Sequence, residues 1–142
     1  MGTKTLALVG CGSKKRDERC PAHQMYTSNY ANRKFTTACF LGVPAIASAK
    51  HELLWPHEII DPYEETLNGE SYEDRLAWAR RLRAQIPNRY EKLCLLMGRE
   101  YAEPILEVCC GEYKINDPFK YTSGLHEQHD WMNEILDEYA PE

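Results

Sequence analysis

With 142 residues, of which 43% are hydrophobic and 27% charged, the chain has the composition of one globular domain; a core of that size buries about 70% of the unfolded surface. This excludes a disordered tail and a repeat solenoid, and the longest apolar stretches have the length of strands, too short to span a bilayer. A formal net charge of −5 excludes a protein that coats nucleic acid through a broad cationic surface, but leaves room for a small local site.

Residues 6–11, LALVGC, form a continuous apolar run of the kind found in a strand buried on both faces, and the run ends in GCGSKK. Asn29 to Leu41 has helical length, with Phe35, Ala38 and Cys39 spaced for one face. VPAIAS at 43–48 is the next strand, with Pro44 belonging at its start or at a sheet edge. Ser71-x-x-Asp74 resembles a capping box with Asp in the usual place of Glu, and it opens a helix whose stripe is Leu76, Trp78, Ala79, Leu82 and Ile86. KLCLLMG at 92–98 repeats the pattern of an apolar strand ending in glycine. Glu100 to Cys110 reads as a helix, in which Pro104 is acceptable only in the first turn. Tyr113 to Ile115 is a short strand, Pro118 with Thr122, Ser123 and Gly124 marks a loop, and His126 to Tyr139 closes the chain as a helix with Trp131, Ile135 and Leu136 facing inward. Strands alternating with helices predict an α/β fold: a single three-layer α/β/α domain over residues 1–142 with a mainly parallel central sheet.

In such a sheet, ligands bind beyond the carboxyl ends of the strands. The loops GCGSKK, SAKHELL and MGREY are therefore expected to converge, gathering Cys11, Lys15, Ser48, Lys50, His51, Gly98 and Tyr101. Gly10, Gly12 and Gly98 let backbone amides approach a ligand. GCGSKK lacks both the spacer and the Lys-Ser/Thr ending of a P-loop, and it is not a dinucleotide fingerprint, so an anion-binding turn and a plain strand-to-loop turn both fit. Cys11, beside lysines, is the thiol best placed for reactivity, although an inert small packing group at a strand end is the commoner role of such a cysteine. His51 is a candidate acid or base, although a lone histidine beside a strand is more often a hydrogen-bonded structural residue. In SAKHELLWPHEIIDPYEETL at 48–67, Pro62 fixes the backbone between Asp61 and Tyr63. A carboxylate held beside a ring suits a nucleobase; a turn cap beside a core tyrosine is the competing account.

The six cysteines are scattered and no secretory signal accompanies them, so reduced thiols and a cytoplasmic location are expected. The sequence has no CxxC or HExxH, and HEQH at 126–129 reads as a solvated helix start, so neither a metal nor a cofactor is expected. Positive charge concentrates at Lys14-Lys15-Arg16 with Arg19, and at Arg80-Arg81 with Arg83. Either cluster suits phosphate, and the second also reads as a solvated helix face.

The order CGSKK, MYTSNY, SAKHELLWPHEIIDPYEETL, AWARRL, LLMGREYAEPI and a last glycine followed by Gln128 and Trp131 resembles the YaaA-like family of unknown function, from Leu6 to Trp131. In that family a cysteine-lysine turn, a YTS segment, an SAKxGLL block leading to PYD, a glycine-tyrosine motif and a G-Q-W ending recur in this order. Glu52 departs from the family's usual glycine, Glu64 from its common Asp, and GLHEQHDWM from an apolar ending. The resemblance also implies likeness to a small bacterial DNA glycosylase of anti-phage defence, which excises glucosylated hydroxymethylcytosine from phage DNA and leaves an abasic site.

Such chemistry extrudes a nucleotide, stacks its base and stabilises an oxocarbenium-like sugar while water attacks. On this reading Asp61 is the first candidate carboxylate, followed by Glu52 and Glu64, with His51 as a further acid-base group. Tyr63, Tyr26 and Trp55 are candidate stacking groups, and Lys15 and Lys50 candidate phosphate contacts. Ser48, His51 and Gln128 would read polar edges, while Cys11, Gly98 and Tyr101 would complete the pocket. The partner would be DNA containing modified bases, with no membrane, and the chain a monomer or a weak homodimer. A second reading is a non-catalytic nucleotide- or nucleic-acid-binding stress-response protein, and a third is a thiol enzyme using Cys11.

Overall fold

A computed structural model describes residues 4–139. Its strands are β1 (Thr5–Gly10), β2 (Cys20–Pro21), β3 (Val43–Ser48), β4 (Glu52–Leu54), β5 (Ile59–Ile60), β6 (Lys92–Leu96) and β7 (Lys114–Asn116). Its helices are α1 (Ala22–Met25), α2 (Asn29–Leu41), α3 (Tyr72–Gln85), α4 (Arg99–Cys109) and α5 (Leu125–Tyr139), with a 3₁₀ turn at Pro118–Tyr121. The main sheet has the order β4-β3-β1-β6-β7. β1 pairs in parallel with both β3 and β6, β6 pairs in parallel with β7, and β4 returns antiparallel along β3.

The continuous apolar runs are explained by this register. Leu8 lies between Ala45 and Leu95, and Val9 between Ile46 and Leu96, so alternate residues feed two separate cores. On one face Leu6, Leu8, Leu93 and Leu95 pack with Trp78 and Leu82 of α3 and Ala102 and Ile105 of α4. On the other, Ala7, Val9, Ile46 and Leu96 pack with Ala31 and Ala38 of α2 and Met132 of α5. Burying each large aliphatic side chain contributes about 1.5–3 kcal/mol, and because both faces of the central strands are covered, the sheet sits in the middle layer of an α/β/α sandwich. β2 and β5 form a separate antiparallel pair beside α1. Among the described residues no helix is long and apolar enough to cross a membrane.

Several local devices are as the sequence predicts. Ser71 caps α3, its hydroxyl accepting from the Asp74 amide at 3.1 Å, and Ser28 caps α2 in the same way from Ala31 at 3.0 Å. Others differ. α4 begins at Arg99, so Pro104 stands inside the helix rather than in its first turn. Proline leaves the Glu100 carbonyl without its helical donor, and Arg75 of the neighbouring α3 supplies one through Nη1 at 3.4 Å. α2 buries Ala31, Lys34, Thr37 and Ala38, while Cys39 is exposed; the face is rotated so that Lys34, and not a thiol, meets the sheet. In α5 Met132 is the fully buried residue, with Trp131 partly buried beside it. Pro44 is second in β3, where β4 has already ended, since β4 pairs only with Ile46–Ser48. The missing N–H therefore costs no ladder bond on that side.

Candidate functional site

At the carboxyl ends of the central strands a cleft of about 590 Å³ opens between three segments: the loop after β1, the extended chain at 62–68, and the first turn of α4. This is the position where β3 and β6 diverge on either side of β1, the switch point at which open α/β sheets form crevices. Cys11, Lys15, Tyr63, Glu64 and Tyr101 all line it, together with Ser13, Arg16, Asp17, Glu65, Thr66 and Asn68.

The loop after β1 is fastened rather than free. The Arg16 amide donates to the Met25 carbonyl at 2.8 Å and the Thr27 amide to the Lys14 carbonyl at 3.1 Å, so Lys15 is bridged to Tyr26 as a short antiparallel pair. The Arg16 guanidinium donates to the Gln24 carbonyl at 2.8 Å. Held this way, the Lys15 ammonium stands 4.6 Å from the centre of the Tyr63 ring and 5.9 Å from that of Tyr26, a cation-π arrangement. No carboxylate neutralises Lys15 among the ion pairs of the described residues.

Beneath the cleft runs a chain of buried hydroxyls. Ser48 is fully buried; its hydroxyl donates to Tyr63 at 2.8 Å and accepts from the His51 amide at 3.1 Å. The Tyr63 and Tyr26 hydroxyls lie 2.5 Å apart. Burial pushes both phenols well above their ordinary range, with the neighbouring Cys11 a lesser cause at each. These hydroxyls are neutral donors and acceptors at physiological pH and hold the Tyr63 ring in place. Tyr101 makes the second anchor, accepting from the Leu67 amide at 3.3 Å and from the Cys11 thiol at 3.4 Å. Burial first, then the neighbouring Cys11, pushes its phenol up to about 12, so the hydroxyl that meets Cys11 is no base for activating a thiol.

The other predicted residues fall around the cleft rather than in its lining. Asp61 is exposed and lies 3.9 Å from Arg19. Glu52 turns toward α3, where its carboxylate accepts from Arg81 Nε at 3.3 Å and Gln85 Nε2 at 3.0 Å. Lys50 sits 3.9 Å from Glu65 at the rim. His51 packs edge-on against Tyr63 with centroids 5.4 Å apart, and its Nε2 is buried without a hydrogen-bond partner. Gly98 is exposed at the start of α4. Gln128 accepts from Tyr30, on the α2 and α5 side of the sheet. Trp55 belongs to a different cleft, because β4 carries the chain back to the amino end of β3 before that residue is reached.

Two features escaped the sequence reading. Thr66 and Asn68 line the cleft, but an extended segment with no repeat gives no pattern by which to find them. Lys34 lies under the turn at the end of β1, its ammonium 3.3 Å from the Gly10 carbonyl and 4.5 Å from the centre of the Tyr30 ring. Burial lowers it to about 8. A lysine at a helical core position was the available signal.

The model of a family of unknown function, DUF6884, matches residues 6–134. No curated protein and no solved structure matches the chain.

Proposed function

The chain belongs to DUF6884, a family of unknown function, and we propose from its site that it is an N-glycosidic hydrolase acting on a modified cytosine in DNA. The observation that carries this reading is the composition of the cleft: the uncompensated Lys15 ammonium poised over the Tyr63 ring and the Glu64 carboxylate in one lining of about 590 Å³. That volume suits a single extruded nucleotide. The YaaA-like order of motifs supports the same reading.

In this mechanism the base enters against Tyr63, and Lys15 with Arg16 meets the flanking phosphates. The bond from C1′ to the base nitrogen breaks, its electrons leave with the base, and the positive charge that develops on the sugar is offset by Glu64. Glu64 also orients water for attack on C1′; one proton of that water goes to the departing base, and an abasic site is left. Glu64 takes the role that the sequence gave first to Asp61, since Asp61 faces Arg19 outside the lining. The protein needs no metal or organic group for these steps.

The alternative, a non-catalytic nucleotide-binding protein, is favoured by one fact: Glu64 and Glu65 are exposed, without the burial that usually tunes a catalytic acid. A single assay separates the two. Purified protein is incubated with DNA carrying canonical, hydroxymethylated or glucosyl-hydroxymethylated cytosine, and released base and alkali-labile sites are measured. Release from a modified DNA, reduced about 10²- to 10⁴-fold in Glu64→Gln with binding retained, is the expected result. No release from any of the three, with folded protein, would sink the hydrolase and leave the binding protein.

A further inference from the structure

At the opposite, amino end of the sheet lies a second cleft of about 800 Å³ that the proposed reaction does not use. Its floor is Val43 and Pro44, the part of β3 that β4 does not cover. One wall is the turn after β4, with Trp55 and His57; the others are Phe35 of α2 and the Arg89-Tyr90 segment that leads into β6.

These walls are held by contacts within the protein. The Pro56 carbonyl accepts from the His23 amide at 3.0 Å and from its Nδ1 at 2.8 Å, which pins the Trp55 turn to α1. The His23 ring stacks on Phe35 at 6.0 Å and 25°. Arg89 lies over Tyr90, its guanidinium carbon 4.7 Å from the ring centre, and donates to the Tyr90 hydroxyl at 3.1 Å. The guanidinium is thus oriented by an aromatic ring and not by an acid.

Charge separates this cleft from the first. The carboxyl-end cleft mixes Lys15 and Arg16 with Asp17, Glu64 and Glu65. The second is lined by Arg89, His23 and His57 and by no carboxylate, although the chain carries five more acids than bases. Among the described residues Arg19, Arg81, Arg83 and Arg99 each have an acidic partner; Arg89 has none, as is also true of Arg16, Arg33, Arg75 and Arg80, but Arg89 is the one that lines this cleft. A fixed guanidinium without a counter-ion beside the partly exposed rings of Trp55 and Phe35 suits an anion that carries an aromatic group, because the guanidinium fork matches phosphate oxygens while an aromatic face accepts a base.

We propose that this second cleft binds a mononucleotide, its base against Trp55 and Phe35 and its phosphate on Arg89. The inference does not depend on the reaction assigned to the first cleft. Calorimetric titration of the full chain with CMP and AMP, with cytidine and adenosine as phosphate-free controls, tests it. Both nucleotides should bind at least about tenfold more tightly than their nucleosides, the scale of one charge-assisted hydrogen-bonded contact. Arg89→Met and Trp55→Leu should each weaken binding about tenfold, Trp55→Phe should restore most of it, and Lys15→Met in the first cleft should leave this site unchanged. Because Arg89 is exposed, its replacement does not put folding at risk, and circular dichroism verifies that. Equal affinity for nucleosides, insensitivity to Arg89→Met, or Arg89-dependent binding of a deoxyoligonucleotide where mononucleotides fail would each overturn the proposal.

Discussion

Glu52 holds its backbone at φ 58°, the only non-glycine residue with positive φ among those described. The left-handed region costs an L-residue about 1–2 kcal/mol, and glycine is the residue that avoids that cost. Glu52 offsets it with the bonds its carboxylate accepts from Arg81 and Gln85; Gln85 in turn accepts from the Leu53 amide at 2.9 Å, satisfying the outer edge of β4. Glu52→Ala keeps the strained backbone and loses both contacts, and is expected to destabilise by about 1–2 kcal/mol. Glu52→Gly loses the same contacts but relieves the strain, so it should be more stable than the alanine variant by about 1 kcal/mol. Urea unfolding of the three proteins gives the order; an alanine variant as stable as the glycine one would contradict it.

The elements that were legible are those whose physics is local and repeated. β1, β3 and β6 are buried on both faces, so each appears as an unbroken apolar run, and Trp78, Ala79 and Leu82 repeat at helical spacing. β2, β4 and β5 have two or three residues each, too few for any period to show, and with β4 went the position of Trp55. The site divides in the same way. Cys11, Lys15 and Tyr101 follow strands with parallel neighbours and line one cleft, while Ser48, Lys50, His51 and Gly98, expected beside them, lie around it; Asp61 and Tyr63 lie in a segment without regular structure, where proximity in sequence says nothing about which side chain turns inward. One junction shows how tightly the elements are spaced. A Cβ on Gly42, between α2 and β3, would sit 2.6 Å from the Thr5 carbonyl oxygen at the start of β1. Backbone cannot yield as a side chain does, so Gly42→Ala must push α2 and β3 away from β1. The expected cost is about 1–3 kcal/mol, read as a lower urea midpoint with unchanged slope; an unaltered midpoint would show that the junction has slack.

For the whole molecule, the buried titratable groups act on stability with opposite signs at high pH. Burial raises the thiols of Cys94 and Cys109, from 9.0 to about 12 and about 11. It also raises the phenols of Tyr30 and Tyr101, each from 10.0 to about 12, and those of Tyr26 and Tyr63 further. An acid that is weaker in the folded protein binds its proton more tightly there. The stability it contributes is intact below pH 9 to 10 and is lost as pH climbs through the folded values. Lys34 runs the other way: its amine is lowered from 10.5 to about 8, so the unfolded chain holds more protons between those values and folding becomes relatively more favourable as pH rises across them. At about 1.4 kcal/mol per pKa unit the buried ammonium costs about 3 kcal/mol at neutral pH, and Lys34→Met removes that cost while losing the bond to the Gly10 carbonyl. Urea unfolding at a series of pH values is therefore expected to show a parent protein whose stability falls steeply above pH 10, where several acids outweigh one amine. The Lys34→Met variant should stand highest relative to the parent at pH 7 and lose that relative gain between pH 8 and 10.5. A difference between the two proteins that stays constant over this interval would mean that Lys34 keeps its ordinary affinity for the proton, and that the turn at the end of β1 does not rest on a desolvated amine.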